Sequence, residues 1–376
     1  MTNPPRLLIL TAAFGEGHNS AARNMALALD ETGAVTRVCD PCIIATPFST
    51  KLLGRLYRFA TDHLPQVWKK IYDSIDHIDF NRSAIASTRK PQAYLAGLVA
   101  EFKPTAIIST YPLYPYLLDR IFKQSGTRLP VFIVVTDSME INSAWLRAPG
   151  DFWLVTDPAT RESMSGGRIA AARIIDTGFP VNPVFSRLTP LPATTACEPF
   201  RILFFPTARR KALRAMGAAM LAASPAVTLM IVLGRNVRLL YPEARRLQQA
   251  FPGRVRLRGW TRRVPWLLNG HHLVVGKAGG ATVHEAIAAE CPMLIHHLVP
   301  GQEEGNLRLL ETIGAGHLAA APEAITRHLG AMLANDASPW RIMKQALARH
   351  HRNAGAITAT AFVLKMTADG KTEDAP

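Results

Sequence analysis

The sequence predicts an α/β protein of two Rossmann-like domains facing a central cleft, and three observations predict it. Short, continuous apolar runs alternate with stretches of helical character, the pattern of buried parallel strands joined by helical crossovers. The alternation stops at residues 186–200, SRLTPLPATTACEPF, where three prolines and several Ser/Thr mark a linker, and it restarts afterwards. Glycine turns follow two of the apolar runs, and open α/β sheets bind ligands at the carboxyl ends of their strands. The expected boundaries are 1–185 for the first domain, 186–200 for the linker, 201–367 for the second domain and 368–376 for a polar, frayed tail.

Taken in order, residues 6–13 (RLLILTAA) read as a buried first strand, followed by a glycine turn and a helix over 19–30. Residues 35–39 form the next strand. The runs 105–109, after Lys103-Pro104, and 131–136, after Pro130, continue the sheet, and 152–155 and 174–177 complete it. Beyond the linker, strands are predicted over 201–205, 227–233, 255–257, 273–275 and 293–297. Helices over 213–223, 239–250 and 281–289 alternate with them.

Composition excludes several classes. Of 376 residues, 48% are hydrophobic and 19% charged, which rules out a disordered chain. Four cysteines are too few for a disulfide scaffold at this length, and no internal repeat is evident. Forty-three Lys+Arg against 28 Asp+Glu leave a net charge of +15, which points to an anionic partner. The basic residues are dispersed and no nucleic-acid-binding signature is present, so the expected partner is a membrane surface or a phosphorylated substrate rather than nucleic acid. No apolar run reaches the roughly 18–20 residues of a membrane span. The nearest, 215–234, is divided by Ser224-Pro225. Residues 7–14 imitate a short signal-peptide core, but one basic residue precedes them and Gly-Glu-Gly-His follows, so they read as a strand. The expectation is a cytoplasmic protein, peripheral on the inner face of the cell membrane.

Three loops carry candidate chemistry. In residues 12–29, Gly15 and Gly17 permit close backbone approach, His18 stands at a helix start, and Asn19 or Ser20 can cap. The spacing is not GxGxxG, and a tight turn with a solvated His is the plainer reading. In residues 276–292, a strand leads through Gly279 and Gly280 into a helix with Thr282 and Glu285 in its first turns, a seat for phosphate. It is not a Walker A loop, because Lys277 precedes the glycines. In residues 296–306, Gln302, Glu303 and Asn306 offer amides and carboxylates to sugar hydroxyls, although a polar loop alone is usually a solvated turn.

Together these segments resemble the monogalactosyldiacylglycerol synthase and processive diacylglycerol glucosyltransferase family, related to the UDP-N-acetylglucosamine transferase that makes lipid II. The resemblance runs over roughly residues 7–320. It is carried by GEGHNSAARNMALAL, VVTDSMEINSAW, TGFPVNPVF and VLGRN, and most specifically by KAGGATVHEAIAAECPMLI with VPGQEEGN. It implies a GT-B fold, a UDP-sugar as co-substrate in the C-terminal domain, a diacylglycerol-type lipid entering through the N-terminal domain, no metal or other cofactor, and inversion at the anomeric centre. The helix start at Gly279 and Gly280 would stabilise the departing UDP without a metal. Thr282 would share that seat, Glu285 would bind the ribose, and Gln302, Glu303 and Asn306 the sugar or its phosphate. Gly234 and Asn236 would lie near the uridine. His18 is the first candidate for general base because its ordinary pKa is near neutrality, and Asp137 the second, with a helix or turn cap as its plainer role.

Two departures from the family pattern stand out. Many relatives carry His five residues after the Thr-Asp aspartate, where this chain has Asn142, which cannot act as a base. Relatives also tend to have glycines after the first strand of the second domain. Here residues 204–216 read FFPTARRKALRAM, in which Pro206 and Thr207 replace the flexible turn. Arg209, Arg210 and Lys211 then either bind pyrophosphate, narrow the donor site or hold another anion.

Residues 48–90 suggest membrane docking. Leu52, Leu53, Leu56, Tyr57 and Phe59 interleave with Lys51, Arg55 and Arg58, and Trp68 stands beside Lys69 and Lys70 as an interfacial aromatic. The alternative is a helix packed on its own domain. Gly17, Asn142 and Trp145 are assigned to the same acceptor entrance. Cys39 and Cys42 form a CxxC without a second pair for zinc and read as structural. Neighbouring histidines at 271/272 and 296/297 point to opposite faces of strands and make no metal site. The rival readings are a GT-B enzyme with a polyprenyl or soluble acceptor, a UDP-sugar epimerase, and a non-catalytic relative that binds ligand only.

Overall fold

The computed structural model describes residues 3–13, 15–76, 88–301 and 303–369. The chain divides into two compact units. The first comprises Met1–Pro183, Val299–Gly305 and Ala354–Pro376, and the second Val184–Leu298 and Asn306–Asn353.

The first unit is built on a six-stranded parallel sheet of order β2-β1-β3-β4-β5-β6. Its chain runs β1 (Arg6–Leu10), α1 (Glu16–Asp30), β2 (Val35–Cys39), α2 (Pro41–Ala45), α3 (Pro47–His63), α4 (Pro65–Asp76) and α5 (Arg89–Phe102). It continues through β3 (Ala106–Ser109), α6 (Leu113–Ser125), β4 (Val131–Val134), α7 (Ser143–Leu146), β5 (Phe152–Val155), α8 (Pro158–Met164) and β6 (Ile174–Asp176). Leu7, Leu8, Ile9 and Leu10 are fully buried, as are Ile107, Ile108, Phe132 and Ile133, because helices cover both faces of the sheet. The strand order reverses between β1 and β3, which pair Leu8 with Ile107, so the loops after these two strands flank the unit's switch point. His18 lies just beyond one of them.

The second unit repeats the architecture, with order β12-β11-β10-β7-β8-β9. Its elements are β7 (Phe200–Phe204), α9 (Arg210–Ala223), β8 (Val227–Val232), α10 (Val237–Ala250), β9 (Val255–Arg258), α11 (Val264–Asn269) and β10 (Leu273–Lys277). They are followed by α12 (Gly280–Ala288), β11 (Met293–His297), α13 (Glu304–Ile313), β12 (Gly316–Leu318) and α14 (Pro322–His350). The switch point lies between β7 and β10, and the loop entering α12 at Gly279 belongs to it. Trp340, fully buried, donates its indole N–H to the carbonyl of His272 (2.7 Å). His272 is itself stacked on Phe200 at 5.0 Å, so this histidine is a core residue rather than a ligand.

Two features differ from the sequence expectation. The edge strand β12 is only three residues long and gives no periodic signal. More consequentially, the last helix, α15 (Gly355–Ala368), packs in the first unit rather than in a second domain ending at 367. Phe362 stands edge-on to Phe152 (5.2 Å) and Phe132 (6.3 Å). The helix starts at Gly355 because a Cβ there would lie 2.0 Å from the carbonyl oxygen of Phe179. Its partners are about two hundred residues or more earlier, so no local pattern reveals them. The CxxC thiols are both pushed up by burial, consistent with a structural role. Among the described residues no group of His, Cys, Asp and Glu is arranged to hold a metal, and no described helix is long and apolar enough to cross a membrane.

Candidate active site

In the first unit the glycine turn works as the sequence suggests. Gly15 has φ +125°, a backbone that L side chains rarely adopt, and α1 begins at the next residue, so His18 lies in its first turn. Thr110, beyond β3, donates its hydroxyl to the carbonyl of His18 (3.1 Å) and fixes the turn against the sheet. His18 Nδ1 lies 3.0 Å from the Thr136 hydroxyl, with Tyr111 edge-on at 5.2 Å and the Trp145 ring at 6.0 Å. These neighbours strip water from the imidazole. Burial lowers its pKa to about 4, opposed by a hydrogen bond to the Thr110 backbone.

Asp137 follows Thr136 at the carboxyl end of β4. Trp145 donates its indole N–H to Asp137 Oδ2 at 2.9 Å. Burial raises the Asp137 pKa to about 6, and the Trp145 bond holds it below where burial alone would place it. The two candidate bases are therefore brought together at one indole, and burial moves them in opposite directions.

Trp145 is 2% exposed, so it holds Asp137 from beneath the surface of the unit. It is clamped from behind: Trp153 donates its indole N–H to the Trp145 carbonyl (2.9 Å), and Tyr116 its hydroxyl to the Ala144 carbonyl (2.9 Å). Asn142 caps α7, accepting the Ala144 N–H on Oδ1 at 2.9 Å. Its Nδ2 is buried and has no partner among the described residues. It lines a cavity of about 410 Å³ within this unit, together with Lys69, Tyr72, Glu140, Gly301 and Glu304. The 299–305 segment reaches this unit because Gly305 has no side chain. A Cβ there would lie 1.9 Å from the Ser138 carbonyl oxygen.

The segment proposed for docking forms α3 and α4, with residues 77–87 of it outside the described residues. On α3, Phe48 is 82% exposed, and Leu52, Leu53, Leu56 and Phe59 are exposed beside Lys51 and Arg55. The apolar face of this helix is thus not covered by the described residues of its unit. Trp68 departs from expectation. It is half-buried, edge-on to Tyr57 at 4.8 Å, with its indole N–H buried and without a partner among the described residues, so it packs α4 against α3 instead of facing outward. Lys69 approaches Glu304 at 3.8 Å. Gly17 lies within the first turn of α1 with open space at its Cβ position.

In the second unit the candidate donor residues gather at the carboxyl end of the sheet. Gly279 caps α12 with extended backbone, and Gly280 and Thr282 occupy the first turn, whose N–H groups have no intrahelical partner. Asn306, 3% exposed, donates Nδ2 to the Ala278 carbonyl (3.0 Å) beside that turn, and its Oδ1 is buried without a partner among the described residues. Glu285 is half-buried one turn further on. Gly234 has φ +58° in the single turn after β8 that ends at Asn236.

Arg209 is exposed at the cap of α9, and Arg210 and Arg214 face Glu243 at 3.8 and 3.5 Å. Glu303 has a second occupation, since its carboxylate accepts the Val299 N–H at 2.9 Å and closes its own loop. Gln302 lies outside the described residues. Sequence reasoning missed Trp260, an indole 54% exposed just beyond β9 with the Arg262 guanidinium 5.5 Å over its ring; a Cβ added at the preceding Gly259 would meet Val237, the residue after the 234–236 turn, at 3.4 Å. Its Gly-Trp-Thr context after a strand was the available signal.

A sequence model of the monogalactosyldiacylglycerol (MGDG) synthase family matches residues 18–181. The processive diacylglycerol β-glucosyltransferase of Bacillus cereus is 25% identical over 354 residues, covering 92% of this chain and 90% of that protein. The enzyme of the same name from Bacillus cytotoxicus is 25% identical over 365 residues, covering 94% and 91%. Among solved structures, Acinetobacter baumannii MurG superposes with a TM-score of 0.66 at 16% identity, over 96% of this chain and 100% of that one. LpCGTa in complex with UDP superposes with a TM-score of 0.61 at 15% identity, over 99% and 100%. The two parallel six-stranded sheets are those of the GT-B fold, and the chain is similar to the MGDG synthase family over residues 18–181 and to the processive diacylglycerol β-glucosyltransferases over most of its length.

Proposed function

We propose that the protein is an inverting glycosyltransferase that moves a hexose from a UDP-sugar to a diacylglycerol-type acceptor at the inner face of the cell membrane. The observation that carries this reading is the meeting of His18 and Asp137 at Trp145, at the carboxyl end of a sheet, in a chain aligned over nine-tenths of its length with diacylglycerol glucosyltransferases.

Each unit supplies part of the chemistry. In the second, the first turn of α12 presents free N–H groups and the positive end of the helix to the diphosphate, and Arg209 adds a cation. Asn306 Oδ1 accepts from a donor hydroxyl, Glu285 binds the ribose pair, and the Trp260 indole offers a stacking face to the base beside Gly234 and Asn236. In the first unit the acceptor hydroxyl is held for attack, with the Asn142 amide and the cavity around it receiving its polar head. The hydroxyl oxygen attacks the anomeric carbon, the bond to the UDP oxygen breaks, and the hydroxyl proton passes to a base. The charge that develops on UDP is stabilised by fixed N–H dipoles, so the step needs no metal.

The base is Asp137. General-base efficiency is highest when the base's pKa lies near the working pH. At about 6, Asp137 satisfies this better than His18 at about 4. His18, neutral throughout the physiological range, orients the hydroxyl or the sugar. This order reverses the one favoured by ordinary pKa values alone. The exposed apolar row of α3, with Lys51 and Arg55, brings the chain to an anionic bilayer where the acceptor resides.

The test is turnover on anionic liposomes containing diacylglycerol, with labelled UDP-glucose and UDP-galactose offered separately and metal chelated. A labelled glycolipid is the expected product. Intact UDP-sugar binding with no lipid product would sink the acceptor assignment.

A further inference from the structure

Away from the residues already discussed, the first unit holds a second cavity, of about 290 Å³. It is walled by residues entering β5 and β6: Leu146, Arg147, Trp153, Arg168, Ile169 and Arg173 among them. Among the described residues no carboxylate lines it. The nearest acid in the sequence around it, buried Asp151, is already answered by Arg128 at 2.5 Å and by Arg173 at 3.8 Å. Arg173 is held further by the carbonyls of Asp151 and Gly150, each at 2.6 Å, and lies over the Trp153 ring at 5.4 Å. Arg147 and Arg168 differ. Their guanidinium groups have no partner among the described residues.

Two unpaired guanidiniums at a cavity lip, one fixed guanidinium in its wall and no acid among its lining residues form a field of one sign. A planar guanidinium binds phosphate oxygens in pairs, which suits it to this anion better than an ammonium. The volume exceeds what a bare phosphate fills, and Trp153, Ile169 and Leu146 make the remaining wall apolar. We propose that this cavity binds an organic phosphate ester, its phosphate between Arg147 and Arg168 and its body against Trp153 and Ile169. The site stands independently of the proposed transfer reaction, because none of its lining residues is assigned to donor, acceptor or base.

The full chain is titrated calorimetrically with glycerol 3-phosphate, and its flotation is measured with phosphatidylglycerol vesicles and with neutral phosphatidylcholine vesicles. Arg147→Gln, Arg168→Gln and the double variant are compared with wild type. Each charged hydrogen-bonding group removed should weaken binding about tenfold or more. Arginine-dependent binding of glycerol 3-phosphate identifies a soluble ester as sufficient. Arginine-dependent flotation with phosphatidylglycerol alone identifies a lipid headgroup, and a parallel Leu53→Asp/Leu56→Asp variant separates it from docking by α3. Arg168 is exposed, so its variant should keep the wild-type melting profile and report binding even if the Arg147 change disturbs the fold. Binding of every probe unchanged in the Arg168→Gln and double variants, or no binding at millimolar ester and on either vesicle, overturns the proposal.

Discussion

Trp145 donates its indole N–H to Asp137 Oδ2 at 2.9 Å, and the same ring lies 6.0 Å from the His18 imidazole. The bond stabilises the carboxylate form of a group that burial drives toward the neutral acid. Trp145→Phe keeps the ring and removes the donor. The acidic limb of kcat/KM should then move to higher pH by about one unit, with activity near pH 6 down about fivefold, approaching tenfold below pH 5, and the alkaline plateau less affected. An unmoved limb would show that Asp137 is not the titrating base.

The identity of the base is open to the same profile. With Asp137 as base, kcat/KM rises through about pH 6 and is flat above it. With His18 as base it would already be flat by about pH 5, since burial lowers that imidazole to about 4. Asp137→Asn should lower kcat by about 10²–10⁴. His18→Gln should lower activity while leaving the limb near pH 6. A limb abolished by His18→Gln and retained in Asp137→Asn would reverse the assignment.

Stability should carry the complementary signature. His18 is depressed in the folded state, so the unfolded chain binds its proton first, and stability falls as pH drops from about 6.5 toward 4. Asp137 is raised, so the folded chain holds its proton longer, and stability falls as pH rises from about 4 toward 6. The two slopes oppose each other over the same window, each worth on the order of 2 kcal/mol for these half-buried groups. Measured as a difference from wild type across pH 4–6.5, the melting temperature of Asp137→Asn should rise with pH. That of His18→Gln should fall. Parallel difference curves would mean that the two groups do not titrate as their burial implies.

Much of this site is legible in the sequence, and what is not has a physical reason. The β1–Gly15–α1 turn and the β10–Gly279–α12 turn are local events, set by apolar runs ending in glycine, and they lie at the two switch points because parallel sheets place such loops there. The proposed preference for Asp137 over His18 was not legible, because a pKa depends on Tyr111 and Trp145, which approach from other loops. Trp68 and Trp145 look alike in sequence, each an indole near polar residues. Burial against Tyr57 in one case and a bond to Asp137 in the other are decided by tertiary packing. The return of α15 to the first unit is likewise invisible, since its signal is a glycine whose clash partner, Phe179, lies far back in the chain.

That return makes a stability prediction. At Gly355 an added methyl meets the Phe179 carbonyl oxygen at 2.0 Å, and backbone cannot yield as a flexible side chain does. Gly355→Ala should therefore shift the helix start and loosen α15, at a cost of about 1–3 kcal/mol. Gly97→Ala on α5, with nothing within 4 Å of its added methyl, is the control and should be neutral or stabilising. Equal melting temperatures for the two variants would mean that α15 does not dock as described.

The α3 surface supplies the last prediction. Phe48, Leu52, Leu53, Leu56 and Phe59 are exposed on one helix whose charged neighbours include Lys51 and Arg55. Burying a leucine in a bilayer interface contributes about 1.5–3 kcal/mol, and each basic side chain near an anionic surface about 1 kcal/mol. Leu53→Asp/Leu56→Asp should thus reduce flotation with anionic vesicles at least tenfold at any ionic strength. Lys51→Gln/Arg55→Gln should weaken it strongly at low salt and little at high salt, because only the electrostatic part is screened. Both variants change solvent-exposed positions, so their melting temperatures should stay close to wild type. A pair of variants that floats like wild type at low salt would leave the apolar row without a membrane role. If only the leucine variant fails, apolar insertion alone holds the chain at the bilayer, and the basic residues of α3 contribute nothing to docking.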